Sequence, residues 1–314
     1  MNNKKKILLT AGGTATTWHF CNIIKKYFPD EFEIHICDIN EEKLVPSAIF
    51  ADRYYKVPSI YEDNYEEYMY NLLEKEKIDI IIPLIDFDLL TFASNNLQLQ
   101  KLNVYSTAPS KETIETLSNK YNMNKFMTKN NICTPKIFDI NEVDFNTEYV
   151  IKPIKGFGSK NVRILKGAQI KDSITSEEII QEKCDSKEVT AEVYNGKFLK
   201  VFIRERIETK CGVCTKMVPV YDDNIYNEIY NLTQKIECPR AFCIQFMKNS
   251  KNQWAIVDCN LRIGAGTALS TKIGFQLVRA LLTDLLGKEV DEKLFEIDTD
   301  VKSVLRVYDE VIIK

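Results

Sequence analysis

Apolar and polar positions over the first hundred residues fall into short apolar blocks separated by turns and amphipathic stretches. Lys6 to Thr10 predicts a brief strand, followed by a turn at Ala11-Gly12-Gly13-Thr14. Trp18 to Tyr27 predicts a helix closed by Pro29, and Phe32 to Asp38 a second strand. Tyr61, Tyr65, Tyr68 and Leu72 recur at helical spacing, which places a helix over Tyr61 to Lys77. Ile78 to Pro83 is continuously apolar, as in a parallel strand buried on both faces. A helix over Phe87 to Leu99 and a short strand at Val104-Tyr105 follow. This alternation predicts a doubly wound parallel sheet, with ligands beyond the carboxyl ends of the strands.

From Pro109 the pattern changes. A helix is predicted from Ser110 to Asn130. Short strands come next, at Tyr149–Lys152, Asn161–Leu165, Ile179–Glu182, Glu188–Val193, Phe198–Arg204, Met217–Val220, Phe242–Met247 and Trp254–Asn260. Ile273, Leu277, Leu281 and Leu285 form the stripe of a last long helix, with Gly287 as its C-cap. The second part therefore reads as mixed α+β. There is no internal repeat and no low-complexity linker.

Composition narrows the function. Of 314 residues, 45% are apolar and 28% charged, as in an ordinary globular protein of about two domains. Lys plus Arg (42) nearly balances Asp plus Glu (45), so no basic field exists to hold nucleic acid. No apolar run approaches the roughly 20 residues of a membrane helix. The apolar stretch after the basic first residues is too short for a signal peptide, and nine scattered cysteines are no disulfide framework. The expected location is the cytoplasm. Cys211 and Cys214 are the only CxxC and lack a second ligand pair for zinc. His19 and His35 are the only histidines, so acid–base or metal work falls to carboxylates, amides, Lys and Arg.

Three constellations carry chemistry. A strand delivers Lys152 to a loop with Lys155, Gly156, Gly158 and Ser159, whose N–H groups suit an anion. It is neither a Walker loop nor GxGxxG, and alone it reads more readily as a hairpin turn. Asp258 and Asn260 share one face of a strand, with Arg262 beyond. An acid and an amide oxygen suit Mg²⁺, and an adjacent Arg suits a transferring phosphoryl group. A polar strand end with an Asp–Arg pair explains them equally well. Acids flank the turn between Ile179 and Glu192, where a solvated hairpin is the simpler reading.

The order of these pieces resembles the ATP-grasp superfamily, and within it the proteins similar to the large subunit of carbamoyl phosphate synthase. Lys120 in a helix, Lys152 before a Gly-rich loop, an acid-flanked hinge and the segment Gln245…Asp258-Cys-Asn-Leu-Arg262 carry the likeness. Asp38, Ala51-Asp52, Val57-Pro58 and Ile82-Pro83 fall as in a pre-ATP-grasp domain. The resemblance implies a Rossmann-like pre-ATP-grasp domain over residues 1–108 and a two-lobed ATP-grasp domain over 109–314, its lobes 109–184 and 185–314. It implies that Lys120 and Lys152 contact ATP phosphates and that the loop from Gly156 to Asn161, with Gly158 and Ser159, closes over them. Glu182, Lys183 and Cys184 become the hinge whose backbone reads adenine, and Glu188 holds the ribose. Gln245, Asp258 and Asn260 become ligands of Mg²⁺ (or Mn²⁺), and Arg262 stabilises the γ-phosphoryl group. Many members have Glu where this chain has Asp258 and Gln245, which leaves the number of metal ions open. Asn161 replaces a frequent Gly, which stiffens the loop.

The implied activity is ATP-dependent ligation. A small carboxylate becomes an acyl phosphate, an amine or other nucleophile attacks, and ADP and phosphate leave. The implied partners are small-molecule carboxylates and amines, with a homodimer left open. Arg204, Arg206, Lys210 and Lys216 are candidates for a substrate carboxylate, against a solvated strand face. Asp86 and Asp88 suit an amino group, against helix capping by Asp86. The rivals are a kinase on the same fold, a non-catalytic binding protein, and a nicotinamide dehydrogenase built on Gly12-Gly13 and Asp38. The last leaves the second half unexplained.

Overall fold

A computed structural model describes residues 4–156, 161–171 and 173–313. The first sheet is parallel, in the order β3-β2-β1-β4-β5. Its strands are β1 (Lys5–Leu9), β2 (Phe32–Asp38), β3 (Arg53–Lys56), β4 (Ile80–Ile82) and β5 (Tyr105–Ser106). Ile7, Leu8, Leu9, Ile80, Ile81 and Ile82 are all buried, as central parallel strands require. A four-stranded antiparallel sheet follows, ordered β6-β9-β7-β8. It comprises β6 (Ile137–Phe138), β7 (Glu148–Pro153), β8 (Arg163–Lys166) and β9 (Glu178–Glu182). The third sheet is antiparallel, ordered β14-β13-β10-β11-β12-β15. Its strands are β10 (Val189–Asn195), β11 (Leu199–Lys210), β12 (Val213–Val220), β13 (Ala241–Lys248), β14 (Trp254–Asn260) and β15 (Val304–Leu305). The doubly wound sheet and the mixed second half are thus as the hydrophobic pattern predicts.

The large sheet has two unlike faces because strand side chains alternate. Its rear face carries Val189, Ala191, Val193, Ile203, Ile244, Phe246 and Ile256. The helices Lys111–Leu117, Lys120–Lys129 and Asp223–Thr233 cover that face with Ile114, Leu117, Met123, Met127, Ile225, Ile229 and Leu232. Part of the front face packs Tyr194, Phe202 and Met217 against helix Leu277–Leu285, which in turn meets helix Ala15–Tyr27 of the first sheet. Each Leu or Val fully buried there contributes roughly 1.5–3 kcal/mol, and one continuous core joins the two halves of the chain. The rest of the front face is polar.

The predicted helices differ from the observed ones in extent: that from Trp18 begins earlier, at Ala15, and that from Tyr61 begins later, at Tyr65, and ends at Glu76. Phe87 to Leu99 is two short helices, Asp88–Thr91 and Leu97–Leu102, the second begun by the Asn96 side chain on Gln98 N–H. Ser110 to Asn130 divides at Asn119, whose side chain accepts from the Tyr121 and Asn122 N–H groups and starts a new helix at Lys120. The stripe from Ile273 is broken at Gly274, where φ is +111° and an added Cβ would lie 2.1 Å from the Glu296 carbonyl oxygen. The last helix therefore begins at Leu277. Strands β3, β6 and β15 and the helix Asp223–Thr233 were not predicted.

Candidate nucleotide and metal site

A cleft of about 280 Å³ opens between the small sheet and the polar front face of the large sheet. Three elements supply its charges. The Asn119 cap starts a helix at Lys120, whose backbone N–H donates to the Ile154 carbonyl at 3.0 Å. Lys120 Nζ then lies 3.7 Å from Asp258 Oδ1 and donates to the Gly156 carbonyl at 3.1 Å. Lys152, on β7, is only 6% exposed. Its Nζ donates to the Val257 carbonyl at 3.2 Å. That carbonyl sits at an irregularity of the β13–β14 ladder, where Gln245 pairs with Asp258 but Phe246 pairs with Ile256. Burial lowers the Lys152 pKa to about 8; Asp258 opposes the shift and Lys120 adds to it.

Gln245 and Asp258 are direct cross-strand partners, and Asn260 lies one alternation further on the same face. Gln245 Nε2 donates to Glu188 Oε1 at 3.0 Å, which leaves the Gln245 amide oxygen for another partner. One carboxylate and two amide oxygens on one face are hard oxygen donors. They suit Mg²⁺, which keeps several waters and takes phosphate oxygens as well. Among the described residues no group of three or more His, Cys, Asp or Glu could hold a metal ion, so a site here depends on the amides. Glu188 also accepts from Arg206 Nη1, so that carboxylate already holds two donors.

The hinge side chains are turned to structural work. Glu182 accepts from the Lys136 and Ser250 N–H groups at 3.1 and 2.8 Å. Burial pushes its carboxyl up, but these bonds prevail and hold it below the usual range. Lys183 Nζ pairs with Glu148 Oε2 at 2.8 Å and Asp185 Oδ1 at 3.3 Å. Burial pushes the Cys184 thiol up to about 11, which disfavours the thiolate. All three nevertheless line the cleft.

Lys120, Lys152, Gly156, Glu182, Lys183, Cys184, Glu188, Gln245 and Asp258 are thus brought to one cleft. Gly158 and Ser159 lie outside the described residues. Asn260 and Arg262 are not in its wall. Arg262 Nη2 instead pairs with Asp86 Oδ2 at 2.7 Å, just past β4 of the first sheet, and Arg262 Nε is buried without a partner among the described residues. Sequence reasoning missed the apolar walls: Val150, Val162, Ile164, Met247 and Val257, with Gln181 beside Val150. Val162 and Ile164 are substantially exposed, as a wall for a flat ring would be. The period of two that aligns Val150 with Lys152 was the available signal. A wider groove of about 990 Å³ behind the hinge shares Glu182 and Lys183 but holds neither Lys120, Lys152 nor Asp258.

The geometry and the sequence agree with known families. Residues 117–266 match the ATP-grasp domain, and residues 7–106 match the PylC-like N-terminal domain. The chain belongs to the ATP-grasp superfamily, with the pre-ATP-grasp plus ATP-grasp architecture. Several solved structures share the fold. N5-carboxyaminoimidazole synthetase from Staphylococcus aureus, complexed with ADP, has a TM-score of 0.74 at 15% identity, over 92% of this chain and 79% of that one. The biotin carboxylase domain of the Hydrogenobacter thermophilus 2-oxoglutarate carboxylase, with MgADP and bicarbonate, has a TM-score of 0.75 at 13% identity, over 95% and 73%. The L-amino acid ligase from Bacillus licheniformis has a TM-score of 0.72 at 13% identity, over 95% and 78%. At these identities the likeness is one of fold. No curated protein matches the sequence. No helix among the described residues is long and apolar enough to cross a membrane.

Proposed function

We propose that the chain binds ATP with Mg²⁺ in the cleft and transfers the γ-phosphoryl group to a small carboxylate, giving an acyl phosphate from which an amine or other nucleophile then displaces phosphate. The observation that carries this is the meeting of Lys120, Lys152 and Asp258 from a helix and two sheets in one cleft. A carboxylate is a poor electrophile, and phosphorylation gives it a leaving group. The protein's part is positioning and charge neutralisation. Lys120 and Lys152 hold phosphate oxygens, and the apolar walls take the base. In this reading Glu182 to Cys184 present their backbone to adenine and Glu188 the ribose, and Gly156, Gly158 and Ser159 cover the phosphates. Gln245, Asp258 and Asn260 would hold Mg²⁺, which supplies Lewis-acid neutralisation of the phosphate charge when bound. Arg262 leaves Asp86 for the transferring group.

The same reading divides the chain near residue 108, after the last strand of the parallel sheet. It places the protein in the cytosol, where its nine unpaired cysteines stay reduced. The biotin carboxylase domain of 2-oxoglutarate carboxylase was solved as a dimer, and a homodimer is part of the proposal. Dinucleotide use is disfavoured because Asp38, the acid it would need, already accepts from the Gly13 and Asn40 N–H groups.

The test is thermal unfolding with Mg-ATP or NAD, then product analysis with hydroxylamine as nucleophile. Ligand at a hundred times its dissociation constant adds about 2.7 kcal/mol of stability. Mg-ATP is expected to stabilise, and hydroxamate to accumulate in step with ADP. Stabilisation by NAD alone would end the reading. AMP and pyrophosphate would replace it by adenylation, and a stable phosphorylated product by a kinase.

A further inference from the structure

The charged row on the front face of the large sheet continues beyond the cleft. Asp258, Gln245, Thr190 and Arg204 are successive partners across β14, β13, β10 and β11, so their side chains share one face. Gln245 and Asp258 line the cleft; Thr190 and Arg204 extend the row away from it and are 4% exposed each. Arg204 Nε donates to Glu192 Oε1 at 2.8 Å, and the other Glu192 oxygen accepts from the Ser270 hydroxyl. Both Glu192 oxygens therefore already hold a donor. Among the described residues, Arg204 Nη1 is buried with no partner, and so is the Thr190 hydroxyl. Gly266 lies flat against this guanidinium, where an added Cβ would stand 2.0 Å from Arg204 Nη2.

A second guanidinium arrives from the end of the chain. The pairing of β15 with β12 carries on to Arg306, whose N–H donates to the Thr215 carbonyl at 2.7 Å. Arg306 Nη2 donates to the Ala265 carbonyl at 2.7 Å, one residue from the glycine that covers Arg204. Arg306 Nε is buried without a partner, and Arg306 makes no ion pair among the described residues. Burial disfavours its charge most, and Arg204 is near enough to disfavour it further. A buried guanidinium, Arg204, and a half-buried one, Arg306, thus stand beside one loop with buried N–H donors left over, and such donors call for an acceptor. Their planar forks match a carboxylate.

We propose that Arg204 and Arg306 form a carboxylate subsite that recognises, without activating, the carboxylate of an amino acid serving as the incoming amine. Arg204 and Asp258 are three strand spacings apart, roughly 14 Å at about 4.8 Å each. One carboxylate cannot meet both, so the recognised group differs from the phosphorylated one. This inference rests on the ligase reading above.

The experiment is thermal unfolding and calorimetric binding of the full chain with each proteinogenic L-amino acid, its D-enantiomer and its primary amide. Mg-ATP and inorganic phosphate are measured alongside. At least one amino acid is expected to stabilise the wild type while its amide does not. Arg204→Met strands Glu192 without its partner and risks unfolding, so Arg306→Gln is the working variant. It should weaken that amino acid roughly ten- to a hundredfold, the loss of a charged hydrogen-bonded pair, and raise its KM more than it lowers kcat. If Mg-ATP fails to stabilise the wild type, the nucleotide reading fails and this one with it. If Mg-ATP stabilises but no amino acid does, or amides serve equally, only this inference falls. Phosphate stabilising in place of the carboxylates, or unchanged affinity in Arg306→Gln, would also overturn it.

Discussion

At the carboxyl ends of the parallel strands, Asp38 accepts from the Gly13 and Asn40 N–H groups, and the buried Asp88 accepts from the Tyr65 hydroxyl at 2.8 Å. On the front face of the large sheet and just past its strand β14, Thr190 Oγ1, Arg204 Nη1 and Arg262 Nε are buried with no partner among the described residues. Both regions place charge beyond a strand or across a sheet. One closes its polar groups with its own backbone and hydroxyls, and the other leaves them open. In the first hundred residues Ser47 Oγ is the one buried side-chain atom of this kind among those described. A buried donor left unpaired costs stability, so its concentration on one face marks where an external acceptor repays the cost.

The sharpest way to break this contrast is at Arg262, which bridges the two regions through Asp86. Arg262→Met should lower the phosphoryl-transfer rate by about 10² or more, the loss of one preorganised charge stabiliser. Asp86→Asn, which touches only the resting pair, should change the rate far less. Equal effects of both substitutions on single-turnover ADP formation would make the ion pair itself, rather than Arg262, the important element.

Next in size is Asp258→Asn. The side chain is 30% exposed and faces Lys120 across 3.7 Å, so it packs little and serves charge. The expected result is an intact fold by circular dichroism and an apparent Mg²⁺ affinity weakened by roughly 10²-fold, at the upper end for groups supporting a metal. Normal specific activity in the folded fraction would make the residue structural.

The seam between the regions titrates. His19, on the helix Ala15–Tyr27, is bonded to the Thr271 hydroxyl at 3.1 Å. Burial, assisted by Arg306 and Lys272, lowers its pKa to about 4. Between pH 6.5 and 4 the unfolded chain binds a proton that the folded chain refuses. His19 thus contributes stability above pH 6.5 that is lost as pH falls towards 4, by up to about 1.4 kcal/mol per unit. Urea midpoints of the wild type and of His19→Gln should converge across that window; parallel curves would show that His19 is protonated in the fold.

These regions were not equally legible in the sequence. The parallel strands announce themselves as apolar blocks, and β14 matches its predicted span at both ends. Asp258, Gln245, Lys120 and Lys152 were placed by motif order, and the cleft gathers all four. The helix Asp223–Thr233 carries a readable stripe in Ile225, Ile229 and Leu232 that went unread. Strand β3 had no apolar block to read, since Arg53 and Lys56 are exposed and only Tyr54 and Tyr55 lie between. Arg306 had no signal at all. The pairing of the two-residue strand β15 with β12 brings it near Arg204, a hundred residues away in the chain.

The smallest expected effect tests how local sequence sets the site. The Ser110–Asn130 segment reads as one helix by periodicity, yet Asn119 stops it and caps a second helix by accepting from Tyr121 and Asn122 N–H. The interruption frees Lys120 N–H for the Ile154 carbonyl and aims its ammonium at Asp258 and Gly156. An uninterrupted helix would spend that N–H within itself and carry Lys120 elsewhere. Asn119→Ala should therefore cost about 1 kcal/mol of stability, the usual worth of an N-cap. Asn119→Ser or Asn119→Asp, which keep an acceptor, should cost less. Because the cap also sets the position of Lys120, the alanine variant should raise the KM for ATP several-fold even at temperatures where it is fully folded. A loss of stability with no change in that KM would show that the Ile154 contact positions Lys120 without help from the cap.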